Sequence, residues 1–249
     1  ATSIQIAVCG WGEAEDFNGD LSSSVWQIYG DATRDARGWL ELTGNEMGRG
    51  GSVYNVAEIL IDSDVTIQLR VNMGQCANPG PCTSFTEGAD GFSMNIWDAT
   101  DIEELEATVE AAVNGEGLGY GVFPEPLGSI EIDAFHVEFD TFYNSSSGGH
   151  TVTEPSTINH IGIMLNGDPT EHHLWTEAPE LEDNFWHDVV IDIEGTHVNV
   201  RMDGEEVING DIAGLAFKGG YIGFSGSTGY YTNYHRIDDL SIAQDCSVE

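Results

Sequence analysis

The sequence predicts an all-β fold: a sandwich of two antiparallel sheets with one short helical insert. Three observations predict it. Short runs alternating apolar and polar residues recur along the chain, the period of half-buried strands. Gly, Asn and Asp turns separate those runs. A single segment switches to helical spacing.

Taken in order, "SVWQIYGD", "GWLELTG", "VTIQLRVNMG", "GFSMNIWDA", "IEIDAFHVEFDTF", "HVNVRMDGEEVING" and "GYIGFSGSTG" read as strands. Within "RMDGEEVI", Asp203-Gly204 separates two alternating runs, which predicts a hairpin. The exception is "ATDIEELEATVEAAVNGEG", where Ile102, Leu105, Val109 and Val113 fall on one helical face. Thr100 and Glu103 are placed for a capping box, and Asn114-Gly115 for a stop. At 249 residues and 40% hydrophobic content, the chain can bury a substantial core, and 1–249 reads as one domain.

Charge excludes one class of partner. Forty-three Asp and Glu against seven Lys and Arg give a formal net charge of −36, with Lys218 the sole lysine. No basic stripe exists to neutralise phosphates, so nucleic acid is not the partner. Such acidity suits a salty, halophilic setting, where screening weakens surface self-repulsion, or an acidic secreted protein.

Cys76 and Cys82 bracket the turn-rich "CANPGPC", while Cys9 and Cys246 lie near the termini. Four cysteines allow three pairings, of which Cys76–Cys82 with Cys9–Cys246 is the natural expectation. That usage points to an extracytoplasmic place, secreted or at the cell surface. The opening "ATSIQIAV" reads as a processed start, and no run of ~18 apolar residues predicts a membrane span.

The stretch "HVEFDTFYN", His136 to Asn144, carries the chemistry. Side chains two apart on a strand share a face, so Glu138 and Asp140 lie together, opposite Val137 and Phe139. Adjacent carboxylates repel unless a cation, a shared proton or water intervenes. Downstream, "TEPSTINHIGIML" adds Glu154 and His160. Hard oxygens from Glu138, Asp140, Asn144 and Glu154 suit calcium (Ca2+), and a mixed carboxylate–imidazole set suits manganese (Mn2+) or another transition divalent ion.

The run "EFDTFYN…EPSTINHIGI" resembles the metal-binding segment of L-type (legume-type) lectins. Further stretches follow in that family's order: "ADGFSM" at Ala89 to Met94, "GLGYG" at Gly117 to Gly121, and "YIGFSGSTGYYTNYHRIDDLSI" at Tyr221 to Ile242. The glycine-rich turn is similar to that of bacterial members. "FWHDVVIDIEGTHVNVRMDG" also resembles a back-sheet hairpin of the family.

The resemblance implies a concanavalin A-like jelly roll with an adjacent manganese–calcium pair. It implies that Glu138, Asp140, Glu154 and His160 hold the transition ion. Asp140, the Phe142 carbonyl, Asn144 and Glu154 would hold calcium. Glycans or glycoconjugates would be gripped by Asp90, a backbone N–H near Gly117 and the Asn144 amide, with Phe142 stacked on the sugar. Tyr230 and Tyr231 sit where the family sets sugar preference, and the Ala89–Asp90 peptide would be cis. Here Glu154 replaces the usual aspartate, the loop from Asn144 to Glu154 is longer, and "LSI" replaces the family's W-S-F ending. Asp168 is a further carboxylate that could complete a metal set.

Two rivals share the sandwich. In "EIDAFHVEFD", Glu131 and Asp133 superficially resemble the catalytic strand of family-16-type glycoside hydrolases. Retaining hydrolysis needs two carboxyls about 5–5.5 Å apart flanking the bond. Glu138, seven residues from Glu131, faces the other way, and His136 stands where an acid is wanted. A non-sugar-binding adhesive or structural module is the other rival. The expected activity is binding without catalysis, by a possible homodimer or by a module of a larger surface protein.

Overall fold

A computed structural model of the chain describes residues 7–10, 15–19, 21–83, 87–122 and 132–246. Strands β1 (Ala7–Gly10), β2 (Trp26–Gly30), β3 (Thr33–Arg34), β4 (Leu40–Thr43), β5 (Gly50–Asn55), β6 (Val65–Gly74) and β7 (Gly91–Trp97) precede helix α1 (Ile102–Ala111). After it come β8 (Ala134–Asp140), β9 (His160–Leu165), β10 (Leu174–Glu177) and β11 (Trp186–Glu194). The chain closes with β12 (His197–Met202), β13 (Glu205–Asp211), β14 (Tyr221–Ser227) and β15 (Tyr234–Cys246).

Two antiparallel sheets result. The back sheet runs β13-β12-β11-β6-β15-β4-β3, with β1 added alongside β15. The front sheet runs β10-β9-β8-β7-β14-β5-β2. The expected hairpin joins β12 to β13, and both Asp203 (φ 52°) and Gly204 (φ 83°) take the left-handed backbone that such a tight turn requires.

Alternation places the core between the sheets. Val65, Ile67, Leu69, Val71 and Met73 of β6 are buried, as are Phe92, Met94 and Ile96 of β7 and Phe135, Val137 and Phe139 of β8. Phe92 and Phe139 are register partners whose rings stack at 4.6 Å. Each such side chain contributes about 1.5–3 kcal/mol by leaving water.

The outer face of the front sheet is also covered. Leu105 and Val109 of α1 pack on Tyr54, Trp97 and Tyr221, and Leu118 and Tyr120 pack on Met164. Buried polar groups beneath this cover satisfy one another, as desolvated groups must. His136 Nδ1 lies 2.8 Å from Asn95 Oδ1, and Asn95 Nδ2 donates to Ser225 Oγ at 3.0 Å.

The helix differs from expectation at both ends. Asp101, not Thr100, is the N-cap, its carboxylate accepting from Glu104 N at 3.0 Å. Glu104, not Glu103, reaches back to Thr100 N at 2.7 Å. The same capping chemistry thus operates one residue later, because Asp caps as well as Thr does. The helix stops at Ala111, which leaves Val113 beyond it, and Gly115 (φ 70°) instead opens a short 3₁₀ turn, Gly115–Gly117. Cys76 and Cys82 form the expected disulfide. The expected Cys9–Cys246 pair lies outside the described side chains.

Candidate functional site

Strand β8 sends Phe135, Val137 and Phe139 into the core and turns His136, Glu138 and Asp140 toward the covered outer face. The face-sharing read from spacing therefore holds, but these carboxylates are buried rather than solvated. Antiparallel pairing sets Asp140 opposite His160 and Glu138 opposite Gly162. His160 Nε2 lies 3.4 Å from Glu138 Oε1 and 3.3 Å from Glu154 Oε2.

A fourth group joins them. His172, just before β10, places its Nε2 2.7 Å from Glu138 Oε1, 3.4 Å from Glu154 Oε2 and 3.2 Å from His160 Nε2. One donor atom from each of these four residues lies within 4.8 Å of all the others. Asp168, the carboxylate considered as a substitute, instead accepts from Thr170 N and Oγ1 in a local turn.

The surroundings are shaped for this cluster. Tyr120 donates its hydroxyl to Glu138 Oε2 at 2.8 Å while its ring stacks on His136 at 4.4 Å. Gly162 leaves necessary room, since a Cβ there would fall 2.6 Å from Glu138 Oε1. Any larger residue at the glycine of "HIGI" would push the Glu138 carboxylate out of its place. Burial drives His136 down to about 3, so it remains a neutral packing group.

Carboxylates dominate the electrostatics: despite burial, Glu138 and Glu154 raise His160 to about 10 and His172 to about 9. Burial pushes Glu138 up, but the imidazoles of His160 and His172 beside it hold it at about 2. Asp140 is pushed well above the usual carboxylate range by burial and then by Glu154. Asp140 Oδ1 accepts from Phe142 N at 2.8 Å. Asn144 Oδ1, Glu154 Oε1 and Glu138 Oε1 are buried with no hydrogen-bond partner. Such orphaned oxygens cost about 1–3 kcal/mol each, more when charged, unless a cation or water meets them. The donor chemistry fits divalent ions: oxygens at Asp140, Asn144 and Glu154, mixed nitrogen and oxygen at the four-residue cluster.

Asp90 lies one residue outside the point where β7, β8 and β14 align, Gly91 pairing with both Asp140 and Ser227. The Ala89–Asp90 peptide is cis, as the resemblance implied. Asp90 N donates to Ser227 O at 3.0 Å, and Asp90 O accepts from Thr141 N at 2.9 Å. Thr141 Oγ1 in turn accepts from Asn233 Nδ2, which also donates to Glu182. The backbone at Asp90 is thereby fixed, leaving carboxylate Oδ2 buried and unpartnered. Gly91 (φ 149°) must lack a Cβ, which would collide with the Phe139 carbonyl.

The other expected sugar-side residues gather nearby. Ser227 Oγ donates to Gly115 O, tying the turn that ends at buried Gly117 to the strand beside Asp90. The Phe142 ring lies 5.6 Å from Tyr231, and Tyr231 lies 5.4 Å from the 80% exposed Tyr230. Two groups missed in the sequence stand among them. Glu116 accepts from Thr151 N and Val152 N, pinning the long loop down, and His150 Nδ1 lies 3.1 Å from Asn144 Nδ2. Under that loop Asn144 is 1% exposed.

No described feature supports the hydrolase constellation. Glu131 lies outside the described residues, Asp133 pairs with Lys218 at the surface, and Glu138 is sealed against two histidines. Among the described residues, no helix is long and apolar enough to cross a membrane.

No protein-family profile and no curated protein sequence matches the chain. Solved structures do. Lectin I-B4 from Griffonia simplicifolia, in its metal-free form, superposes with TM-score 0.69 at 18% identity, covering 96% of this chain and 100% of that one. A Bauhinia forficata lectin in complex with GalNAc gives 0.68 at 17%, covering 96% and 98%. The exoplasmic/lumenal domain of VIP36, bound to Ca2+ and Man3GlcNAc, gives 0.64 at 16%, covering 95% and 89%. These likenesses bear on the fold and not on the expected kinship with bacterial members. The chain has the L-type lectin fold.

Proposed function

We propose that the protein is a lectin that binds glycans reversibly and without turnover, at a site organised by calcium and a transition ion. One observation carries this reading most directly. Asp90, Asn144, Phe142 and Tyr231 gather beside a buried cluster whose orphaned oxygens and converging donors fit divalent cations. An ionised Asp90 accepts hydrogen bonds from sugar hydroxyls, and the Asn144 amide donates one. Phe142, with Tyr230 and Tyr231, offers aromatic surface to the C–H face of a pyranose. Bound ions would neutralise Glu138, Asp140 and Glu154 and order the segment from Phe142 to Glu154.

The neighbours' ligands support a sugar as partner, since those structures hold GalNAc and mannose-containing glycans. The disulfide and the lumenal neighbour support an extracytoplasmic setting. The acidic surface supports a salty one.

A glycan array probed with calcium and with EDTA tests the reading. Expected is binding that EDTA removes, with no release of reducing ends, and its loss in Asp140→Ala. Binding indifferent to EDTA, or hydrolysis of the bound glycan, would contradict it.

A further inference from the structure

His172 is unexplained by the ligand set that the resemblance implied, which has one imidazole. We propose that His172 joins Glu138, Glu154 and His160 as a protein ligand of the transition-ion centre, in the place that the resemblance gave to Asp140, and that the paired imidazoles make it a site for a nitrogen-preferring ion of the zinc class rather than manganese. This rests on the metal-organised reading above and deepens it.

The geometry is that of converging ligands. Four of the donor separations, His160–Glu138, His160–Glu154, His172–Glu154 and His160–His172, span 3.2–3.4 Å. A tetrahedral ion with bonds of about 2.0–2.1 Å spaces its ligands about 3.3–3.4 Å apart. The two Nε2 atoms face each other at 3.2 Å, both aimed at Glu138 and Glu154. Glu138 Oε1 lies 2.7 Å from His172 Nε2, yet no donor meets it in hydrogen-bond geometry. All four atoms thus converge on one point, where Glu138 Oε1 is left without a hydrogen bond.

The backbone accommodates His172 specifically. A Cβ at Gly162 would lie 3.1 Å from His172 Cδ2, so the missing side chain admits this ring as well as the Glu138 carboxylate. His172 is also largely withdrawn from solvent, its side chain 7% exposed.

Donor type then chooses the ion. Manganese stands lowest in the affinity order of the divalent series and favours oxygen, whereas imidazole suits zinc, nickel and copper. Exchanging one oxygen for a second imidazole strengthens binding of the later ions far more than of manganese.

The test uses the full chain, stripped with chelator and dialysed in calcium buffer against equal Zn2+ and Mn2+. Elemental analysis should find about one zinc per chain and little manganese. X-ray absorption at the zinc edge should count two imidazoles. His172→Gln should leave one imidazole and reduce the zinc-to-manganese ratio about tenfold or more, while His173→Ala changes neither. Should His172→Gln fail to fold, the imidazole count in the unaltered chain decides alone. One imidazole, or a ratio unmoved by His172→Gln, overturns the assignment of His172 and leaves the metal-organised site standing. An unaltered chain that retains no ion at all overturns both.

Discussion

The Tyr120 hydroxyl donates to Glu138 Oε2 at 2.8 Å, with both groups buried. This contact aims a ligand that β8 alone would leave free to rotate. Tyr120→Phe keeps the ring on His136 and removes only the donor. Affinity for the transition ion should fall about 10–100-fold, as happens when a metal ligand loses its orienting partner. Calorimetric titration of zinc or manganese into the stripped protein measures this, and unchanged affinity would show that Glu138 is positioned without Tyr120.

Asp90 ties sugar binding to pH. Burial, then Glu116, raises its carboxyl to about 7. Only the ionised form accepts from hydroxyls on both oxygens, so affinity should fall as pH drops through about 7. The stability effect has the opposite sense. A folded value above the ordinary carboxyl value of 3.8 means that ionisation disfavours the fold, by nothing below that pH and by on the order of 4 kcal/mol above about 7. In chelator at pH 8, Asp90→Asn should therefore melt higher than the parent and bind no sugar. At pH 3 the two should melt together. Retained affinity in Asp90→Asn would remove the proposed site.

His150 sits at the amide that a sugar hydroxyl would use. Its Nδ1 lies 3.1 Å from Asn144 Nδ2, and the loop carrying it is pinned through Glu116. A glycan must displace this imidazole, giving up a hydrogen bond of about 1 kcal/mol. His150→Ala should tighten glycan binding about fivefold. Weaker binding in that variant, measured by calorimetry with the array's best glycan, would mean that His150 contacts the sugar itself.

Much of the fold and part of the site were legible in the sequence, and the reason differs by residue. Glu138 and Asp140 could be placed on one face because strand periodicity is local. Gly91 and Gly162 stood inside recognisable motifs, although the collisions they avoid appear only in three dimensions. His172 carries no periodic or motif signal: it reaches Glu138 because the β9–β10 hairpin folds back beside β8. Tyr120, Glu116 and His150 belong to loops crossing the outer sheet face, where contacts join residues far apart in the chain. The helix cap moved by one residue because Thr100 and Asp101 are comparable caps, and the choice fell to Glu104.

The central claim is that divalent cations complete the buried acidic cluster. Anomalous scattering from crystals grown with abundant calcium and zinc tests it directly. The account predicts one ion between Glu138, Glu154, His160 and His172 and a second beside Asp140 and Asn144. Well-ordered side chains at both places with no anomalous peak would contradict it.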